Sequence, residues 1–469
     1  MNPVLQKDIE QLPAILQSVA ERVSTYLGSL DSRRVSNPAP VTNAPVLPAD
    51  GLGYAATQEL FDDGFLQHIV ASSGPRYWGF VTGGTTPASI AGDWLAAVYD
   101  QNTQGTQTGG DVSARLEFDA IQLLLQLFDL PADFMGAFVT GATMSNFTGL
   151  AVARQWMGKQ QGRDIALQGI GDTKMKVYTA VPHSSAIKCL SMLGIGSGNI
   201  QSIPVLPGRE CMDTAAFEAM LADAPGEPFI LVASGGTVNT VDFDDMAFIA
   251  SLKTKYRFWW HIDAAFGGFA ACTESHKHLL EGWQYADSIT IDNHKWLNVP
   301  YDSAVIFTRK EHAALQVETF QNSNAPYLGN PLENFTYLNY GPENSRRFRA
   351  LPAWFTLMAY GKKGYRDIVE NNIAHAKAFG EGIEQSALFC LAAPVRLNTV
   401  CFTLQAHVHA QQSIANILAA MNKDGRFFVT PTMYKGVACI RAAFVNYRTT
   451  QEDVQAALAA LHHVLENIK

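Results

Sequence analysis

The chain has 469 residues, of which 47% are hydrophobic and 16% are charged. This length predicts two or three domains and provides enough apolar side chains for a large core. The formal net charge of -9 argues against nucleic acid or an anionic membrane as a partner. No apolar stretch reaches the ~18 residues of a membrane span. Six scattered cysteines without a CxxC pair indicate free thiols, and no signal-peptide pattern precedes them. We therefore expect a cytoplasmic protein.

The N-terminal region predicts a helix followed by a linker. Residues 5–27 carry apolar side chains at helical spacing, which indicates one amphipathic helix with a single apolar stripe. Such a stripe needs a surface to pack on, and a second subunit is a good candidate. Residues 31–50 include four prolines, which favour extended backbone. We expect residues 1–90 to wrap around a partner subunit in a dimer.

Residues 91–340 alternate short apolar runs with segments of helical length. The runs are 135–139, 177–181, 229–234, 258–262, 288–291 and 304–307. They predict a mostly parallel sheet with helices on both faces, and sheets of this kind bind ligands at the carboxyl ends of their strands. Residues 341–469 predict a smaller α+β domain with strands near 400–404, 427–429 and 438–444. Its last helix is expected to be capped by Thr450.

Two charged residues directly follow predicted strands. Lys295 lies in SITIDNHKW, residues 288–296, and Asp263 lies in HIDAAFGG, residues 261–268. A surface lysine is the simplest interpretation of Lys295, but a partly desolvated lysine can form a Schiff base. A carboxylate at a buried strand end needs a cationic partner. For Asp263 this could be a protonated pyridine nitrogen, or the residue could be an ordinary cap or ion-pair aspartate.

Three further turns follow strands. In VTGATMSN, residues 139–146, the amides of Ala142 and Thr143 and the Thr143 hydroxyl could cradle a phosphate at a helix N-terminus. A plain strand–helix turn is the alternative there. His183 could stack on a flat ring or be structural. Thr237 lies in a polar loop and could join the site.

Together, the order and spacing of these motifs resemble the group II decarboxylases, the family of aromatic-L-amino-acid, histidine and glutamate decarboxylases. The combination of HxDAAxxG and DxHKW carries the resemblance, which runs from about residue 75 to the last helix. It implies fold type I, the fold of transferases that depend on pyridoxal 5'-phosphate (PLP). It also implies PLP as the cofactor, no metal, and a homodimer with its site at the subunit interface.

The resemblance also implies a role for individual residues. Lys295 would form the Schiff base with PLP, Asp263 would pair with the pyridine nitrogen, and His183 would stack on the ring. Further positions match the cofactor's phosphate side, its other ring face or its surroundings: Ala142, Thr143, Asp292, His294, Ala265 and Thr237. Asp292 replaces an asparagine of some animal members. An acid beside a phosphate is unfavourable unless the contact runs through water or backbone.

The substrate side rests on tyrosine and aromatic positions. Tyr327, in APYL at residues 325–328, matches a loop tyrosine that protonates the substrate carbon in the family; a packing tyrosine is the alternative. The aromatic residues Trp78, Phe80 and Tyr301 match positions at the substrate pocket. They favour an aromatic amino acid: tyrosine, DOPA, tryptophan or phenylalanine. The arginines at 345–349 are expected to form structural ion pairs.

We therefore predict PLP-dependent decarboxylation of an L-amino acid to a primary amine and CO2. Three alternatives stay open. The first is a non-aromatic substrate such as 2,4-diaminobutyrate or glutamate. The second is a PLP lyase or an aldehyde-forming oxidative deaminase on the same fold, against which Tyr327 argues. The third is a paralogue that only binds, against which Lys295 and Asp263 argue.

Overall fold

The computed structural model describes residues 1–37, 46–105, 112–223, 226–321, 335–409 and 412–467. The strands in these ranges are β1 (Phe134–Val139), β2 (Val177–Thr179), β3 (Ile200–Ser202), β4 (Phe229–Ser234), β5 (Phe258–Asp263), β6 (Ser288–Ile291), β7 (Ala304–Arg309), β8 (Phe389–Leu391), β9 (Thr399–Leu404), β10 (Thr430–Tyr434) and β11 (Val437–Ala443). The α-helices are α1 (Pro3–Glu10), α2 (Leu12–Gly28), α3 (Gly53–Gly64), α4 (Pro87–Tyr99), α5 (Ser113–Leu127), α6 (Ala142–Gln160), α7 (Ile165–Gln168), α8 (Ser184–Met192), α9 (Thr214–Ala222), α10 (Met246–Leu252), α11 (Asn293–Trp296), α12 (Ala313–Phe320), α13 (Ala350–Glu384), α14 (Ala406–His409), α15 (Ile414–Asp424) and α16 (Gln451–Asn467).

A seven-stranded sheet forms the larger layer, in the order β1-β7-β6-β5-β4-β2-β3. Strands β6, β5, β4, β2 and β3 run parallel, whereas β7 is antiparallel to both of its neighbours. Every residue of β4 is buried, as expected for a parallel strand that helices cover on both faces. The six predicted runs are all strands of this sheet, so the predicted mostly parallel sheet is confirmed.

A four-stranded antiparallel sheet, in the order β10-β11-β9-β8, forms the smaller layer. The strand predicted near 427–429 begins slightly later, at Thr430, because Phe428 forms only an isolated bridge to Tyr77 before the pairing of β10 with β11 begins. As the edge strand, β10 tolerates Pro431. The predicted cap of α16 is confirmed, since the Thr450 hydroxyl accepts the Asp453 amide at 3.3 Å.

The predicted N-terminal helix is two helices, α1 and α2. The first helix ends before Gln11, and the second begins at Leu12 with Pro13 in its first turn. Proline has no amide proton, so it cannot continue the hydrogen bonds of the first helix. The apolar stripe is nevertheless present, and its members Leu5, Ile9 and Leu16 are about half exposed.

The long helix α13 joins the two sheet layers. Leu357 and Tyr365 in its first part pack in the large core, whereas Phe379 and Ile383 belong to the core of the smaller sheet. Gly361, with a φ of 58°, interrupts the helix at a backbone conformation that suits glycine. The domain boundary placed at residue 341 stays a prediction. No helix in the described ranges is long and apolar enough to cross a membrane, and the six cysteines are free.

The arginines at 345–349 form ion pairs, as predicted: Arg346 with Glu117, Arg347 with Asp93, and Arg349 with Glu343 and Asp302. The pair between Arg346 and Glu117 is buried, with 3% and 0% of the side chains exposed and 2.6 Å between the charged atoms. Glu117 also accepts the amide of Phe138 at 2.9 Å. It therefore fixes β1 directly before the turn that leads into α6.

We predict that Arg346→Met destabilises the protein much more than Arg347→Met. The first substitution leaves a buried carboxylate without its cation, which costs about 3 kcal/mol of unfolding free energy. The second removes a partly exposed pair, which is worth at most about 1 kcal/mol. Thermal melts of the two variants beside the wild type measure the difference. Equal falls in Tm would contradict this account.

Candidate active site

A pocket of about 210 Å³ lies at the carboxyl ends of the parallel strands. It gathers side chains that come from separate sequence motifs: Phe80, Ala142, His183, Thr237, Asp263, Ala265 and Lys295. Because β2, β4, β5 and β6 are neighbours in the sheet and run parallel, the turns that follow them meet at one edge.

Lys295 lies on the short helix α11 directly after β6. Its ammonium nitrogen is 3.0 Å from Asp292 Oδ2 and 5.5 Å from the centre of the Phe266 ring, and the side chain is 15% exposed. Gly83 crosses over this lysine so closely that a Cβ there would lie 1.5 Å from the Lys295 carbonyl oxygen. Only glycine fits at that crossing, which holds the N-terminal segment against the lysine.

Asp263 ends β5 and faces the same pocket. Its carboxylate accepts hydrogen bonds from Asn146 Nδ2 at 2.9 Å and from the Ala265 amide at 3.3 Å. Within the described ranges, Asp263 forms no ion pair with a lysine, arginine or histidine. Its carboxylate is therefore available to a positive partner from a ligand. A protonated ring nitrogen would supply one, so this donor and acceptor set fits a pyridine cofactor whose aldehyde binds Lys295.

Asn146, one turn into α6, holds that carboxylate in place. Its Oδ1 accepts from His261 Nε2 at 2.9 Å and from the Thr290 hydroxyl at 2.7 Å. Complete burial lowers the pKa of His261 to about 4, so this imidazole is neutral at pH 7. Ser288 Oγ lies 2.8 Å from His261 Nδ1 and can donate to it, which leaves the Nε2 proton for Asn146. This support was not predicted from the sequence, although a spacing of two places His261 and Asp263 on one face of β5.

The same asparagine reaches His183 through Ser185. Asn146 Nδ2 is 3.2 Å from Ser185 Oγ, which lies 2.7 Å from His183 Nδ1, and the Ser185 amide also donates to that nitrogen at 3.2 Å. The proton of a neutral His183 therefore lies on Nε2. Loss of solvent lowers the pKa of His183; Asp263 opposes this effect and Lys295 adds to it. The lowered pKa favours the neutral imidazole, a form that can stack on a flat ring.

The residues predicted for a phosphate meet at the start of α6. Asp292 Oδ1 accepts the Ala142 amide at 3.0 Å, and Asp292 Oδ2 lies 3.3 Å from His294 Nε2. Burial by itself would raise the pKa of Asp292, but Lys295 and His294 together hold it below its usual range. Thr143 follows Ala142 in the first turn of α6, where backbone amides have no acceptor within the helix. The N-terminal end of α6 therefore has backbone amides that can bind an anion.

The profile of the pyridoxal-dependent decarboxylase conserved domain matches residues 57–405. The chain belongs to the pyridoxal-dependent decarboxylase family. It is a PLP-dependent amino-acid decarboxylase, as the motifs predicted.

Relatives of this decarboxylase extend over most of its length. The aromatic-L-amino-acid decarboxylase of Catharanthus roseus is 25% identical over 397 residues, which are 81% of this chain and 78% of that protein. The aromatic-L-amino-acid decarboxylase of Bacillus atrophaeus is 23% identical over 100% of this chain and 98% of that protein. The crystal structure of Oryza sativa TDC with PLP and tryptamine has a TM-score of 0.87 at 23% identity, covering 97% of this chain and 98% of that one. The similarity to this crystal structure confirms the predicted fold.

Two predicted substrate residues of the decarboxylase lie elsewhere. Trp78 is fully buried against Phe379 and Phe444 in the core of the smaller sheet, so its prediction as a pocket residue is wrong. The backbone explains why, because the Trp78 amide and carbonyl are hydrogen-bonded to that layer. Tyr301 stacks on His294 at 4.1 Å between ring centroids and does not line the pocket. Phe80 does line it and is 62% exposed.

Two other predictions differ in detail or lie outside the described ranges. Thr237 lines the pocket, but its hydroxyl donates to Glu210 at 2.6 Å and not into the cavity. Tyr327, predicted as the proton donor, falls in residues 322–334, outside the part of the chain that the structure describes.

Arg441, on β11 of the smaller sheet, also lines the pocket and was not predicted from the sequence. It is 9% exposed, its Nη1 donates to the Val238 carbonyl at 3.2 Å, and its Nε has no hydrogen-bond partner. In the described part of the chain it forms no ion pair with a carboxylate. Burial lowers its pKa, yet an arginine stays charged in proteins. A charged residue inside the apolar strand VACIRAA was the available signal.

Proposed function

We propose that this enzyme decarboxylates an aromatic L-amino acid, namely tyrosine, DOPA, tryptophan or phenylalanine, to the primary amine and CO2. The observation that carries the proposal is the Asp263 carboxylate, which shares a pocket with the Lys295 amine and forms no ion pair in the described ranges. This arrangement suits a pyridine ring that must keep a positive nitrogen while an aldehyde is bound to the lysine.

Each end of the cofactor has residues that suit it. Lys295 would hold the aldehyde carbon, Asp263 the ring nitrogen, and the amides of Ala142 and Thr143 the phosphate, with His294 nearby. When bound, PLP draws electrons from the bond between the substrate's α-carbon and its carboxylate. The protein's own contribution is to fix the ring and to keep its nitrogen protonated.

The hydrogen-bond network beneath the pocket sets these roles. Asn146 donates to Asp263 and, through Ser185, orients His183, so one buried amide aligns the carboxylate and the imidazole together. His183 offers a neutral ring for stacking and an Nε2 proton for the substrate side. We assign the return of a proton to the substrate carbon to Tyr327, an assignment that rests on its sequence motif.

Arg441 supplies a binding group for the substrate's α-carboxylate. Its buried guanidinium faces the pocket without an acid from the described residues, and a carboxylate is the natural partner of such a group. Since Arg441 would then be engaged, a glutamate side chain would lack a second arginine among the described lining residues. Phe80 presents its ring at the same pocket. Both features favour a substrate with an aromatic side chain, as in the aromatic-L-amino-acid decarboxylases among the relatives.

We also propose a homodimer. Several apolar side chains of α1, α2 and α3 are exposed in the single chain, among them Leu5, Leu16, Leu60 and Phe61. A second subunit is the partner that the N-terminal stripe predicts. Gel filtration of the full chain should give the mass of two subunits, and a mass of one subunit would contradict the proposal.

The function is tested by incubating the holoenzyme with single amino acids and measuring CO2, amine, aldehyde and ammonia. We expect equal amounts of CO2 and amine from at least one aromatic amino acid. We expect kcat/KM to be at least about tenfold lower for 2,4-diaminobutyrate and glutamate, since neither side chain fills an aromatic pocket. Aldehyde with ammonia would instead support the oxidative deaminase.

We predict that Arg441→Gln weakens the binding of the substrate and leaves that of its product amine unchanged. A lost charged hydrogen bond to the α-carboxylate should raise KM by about tenfold or more. The inhibition constant of the product amine, which has no carboxylate, should stay the same. Arg426→Gln, on an exposed arginine paired with Asp424, is the matched control and should alter neither constant. An equal loss for amino acid and amine would exclude the carboxylate role.

A further inference from the structure

Asp292 holds the first amide of α6 with its side chain. It precedes the lysine helix α11, but its carboxylate does not cap that helix. It reaches across to α6 instead, where Oδ1 accepts the Ala142 amide at 3.0 Å. Only 2% of the residue is exposed. The N-terminal end of a 19-residue helix therefore already has a full negative charge from the protein itself.

That helix end is also where the phosphate of the cofactor is proposed to bind. The start of a helix attracts one anion through its free amides and its dipole. A phosphate there would share the amides with Asp292 and lie near its charge. Because Asp292 is buried, solvent and salt screen this repulsion only weakly. The carboxylate and the phosphate thus oppose each other.

The Asp292 carboxylate also contacts the side chains of Lys295 and His294, and these contacts explain how it stays charged. Its Oδ2 lies 3.0 Å from the Lys295 ammonium and 3.3 Å from His294 Nε2. These contacts stabilise the negative form in a buried place. They also fix the lysine amine beside the proposed phosphate site. Asp292 is therefore a positioning residue for Lys295 and, at the same time, an anion at the helix end.

We propose that Asp292 competes with the phosphate of PLP for the N-terminal end of α6 and so weakens the enzyme's hold on its cofactor. The inference rests on the placement of the phosphate given under the proposed function. It assigns to this acid a role in cofactor exchange: the carboxylate that orients Lys295 also keeps the affinity for the phosphate below what the helix end could reach.

The test uses pyridoxine 5'-phosphate, an alcohol that cannot form a Schiff base with Lys295. Its dissociation constant, measured by titration of the full chain after removal of PLP, reports ring and phosphate contacts alone. Asp292→Asn keeps an oxygen for the Ala142 amide but removes the charge. We expect this variant to bind pyridoxine 5'-phosphate about tenfold more tightly than the wild type. Pyridoxine, which has no phosphate, should bind both proteins equally.

A second variant of Asp292 and a control variant at another buried acid complete the test. Asp292→Ala frees the Ala142 amide altogether and should also tighten the binding of pyridoxine 5'-phosphate. Asp287→Asn is the matched control, because Asp287 is a buried acid at the other end of β6, paired with Lys253 and accepting the Trp260 amide. It should leave both dissociation constants unchanged. Thermal melts identify any variant that fails to fold.

The outcomes separate the inference from the function on which it rests. Unchanged or weaker binding of pyridoxine 5'-phosphate by both Asp292 variants would overturn the competition. If neither the wild type nor Asp292→Asn binds pyridoxine 5'-phosphate more tightly than pyridoxine, the placement of the phosphate is wrong and the inference falls with it. Neither result alters the products found with single amino acids, which test the decarboxylation itself.

Discussion

The site depends on one carboxylate at the end of a buried strand. Asp263 faces the pocket with two hydrogen bonds and, in the described ranges, without an ion pair. A carboxylate that faces a pocket with no cation beside it can bind a positively charged group of a ligand. The buried amide of Asn146 donates to this carboxylate, and the neutral imidazole of His261 donates to Asn146 and orients it. The cofactor's ring nitrogen is the partner that explains this arrangement, and the positions of Lys295 and His183 follow from the same ring.

The parallel sheet brings these groups together from distant parts of the sequence. Asp263 ends β5, and His183 and Lys295 follow β2 and β6. These strands lie close together in the sheet order, so the three residues share one edge. Helix α6 begins at that edge with its free amides. The smaller sheet then adds Arg441 from β11. One wall of the pocket therefore depends on how the two layers pack, whereas Lys295, Asp263 and His183 all come from the large sheet.

The difference between residues of the large sheet and residues brought to the pocket by the smaller sheet explains how much of the site could be predicted from the sequence. The apolar runs identified six of the seven strands of the large sheet. Parallel strands imply a shared edge, so Lys295, Asp263 and His183 could be placed together. Trp78 could not be placed, because an aromatic residue suits either of two cores and only the packing of the layers decides. Arg441 was missed for the same reason. The break before Pro13 was readable from the sequence, since proline cannot continue a helix.

The most direct test of the account is the site of attachment of the cofactor. Borohydride reduction of the holoenzyme, followed by digestion and mass spectrometry, identifies the lysine that carries the PLP-derived group. The account predicts this group on the peptide with Lys295, its loss in Lys295→Ala, and its retention in Lys188→Ala, a change at an exposed lysine of α8. A label on another lysine of the wild type, or a label that persists in Lys295→Ala, would contradict the account.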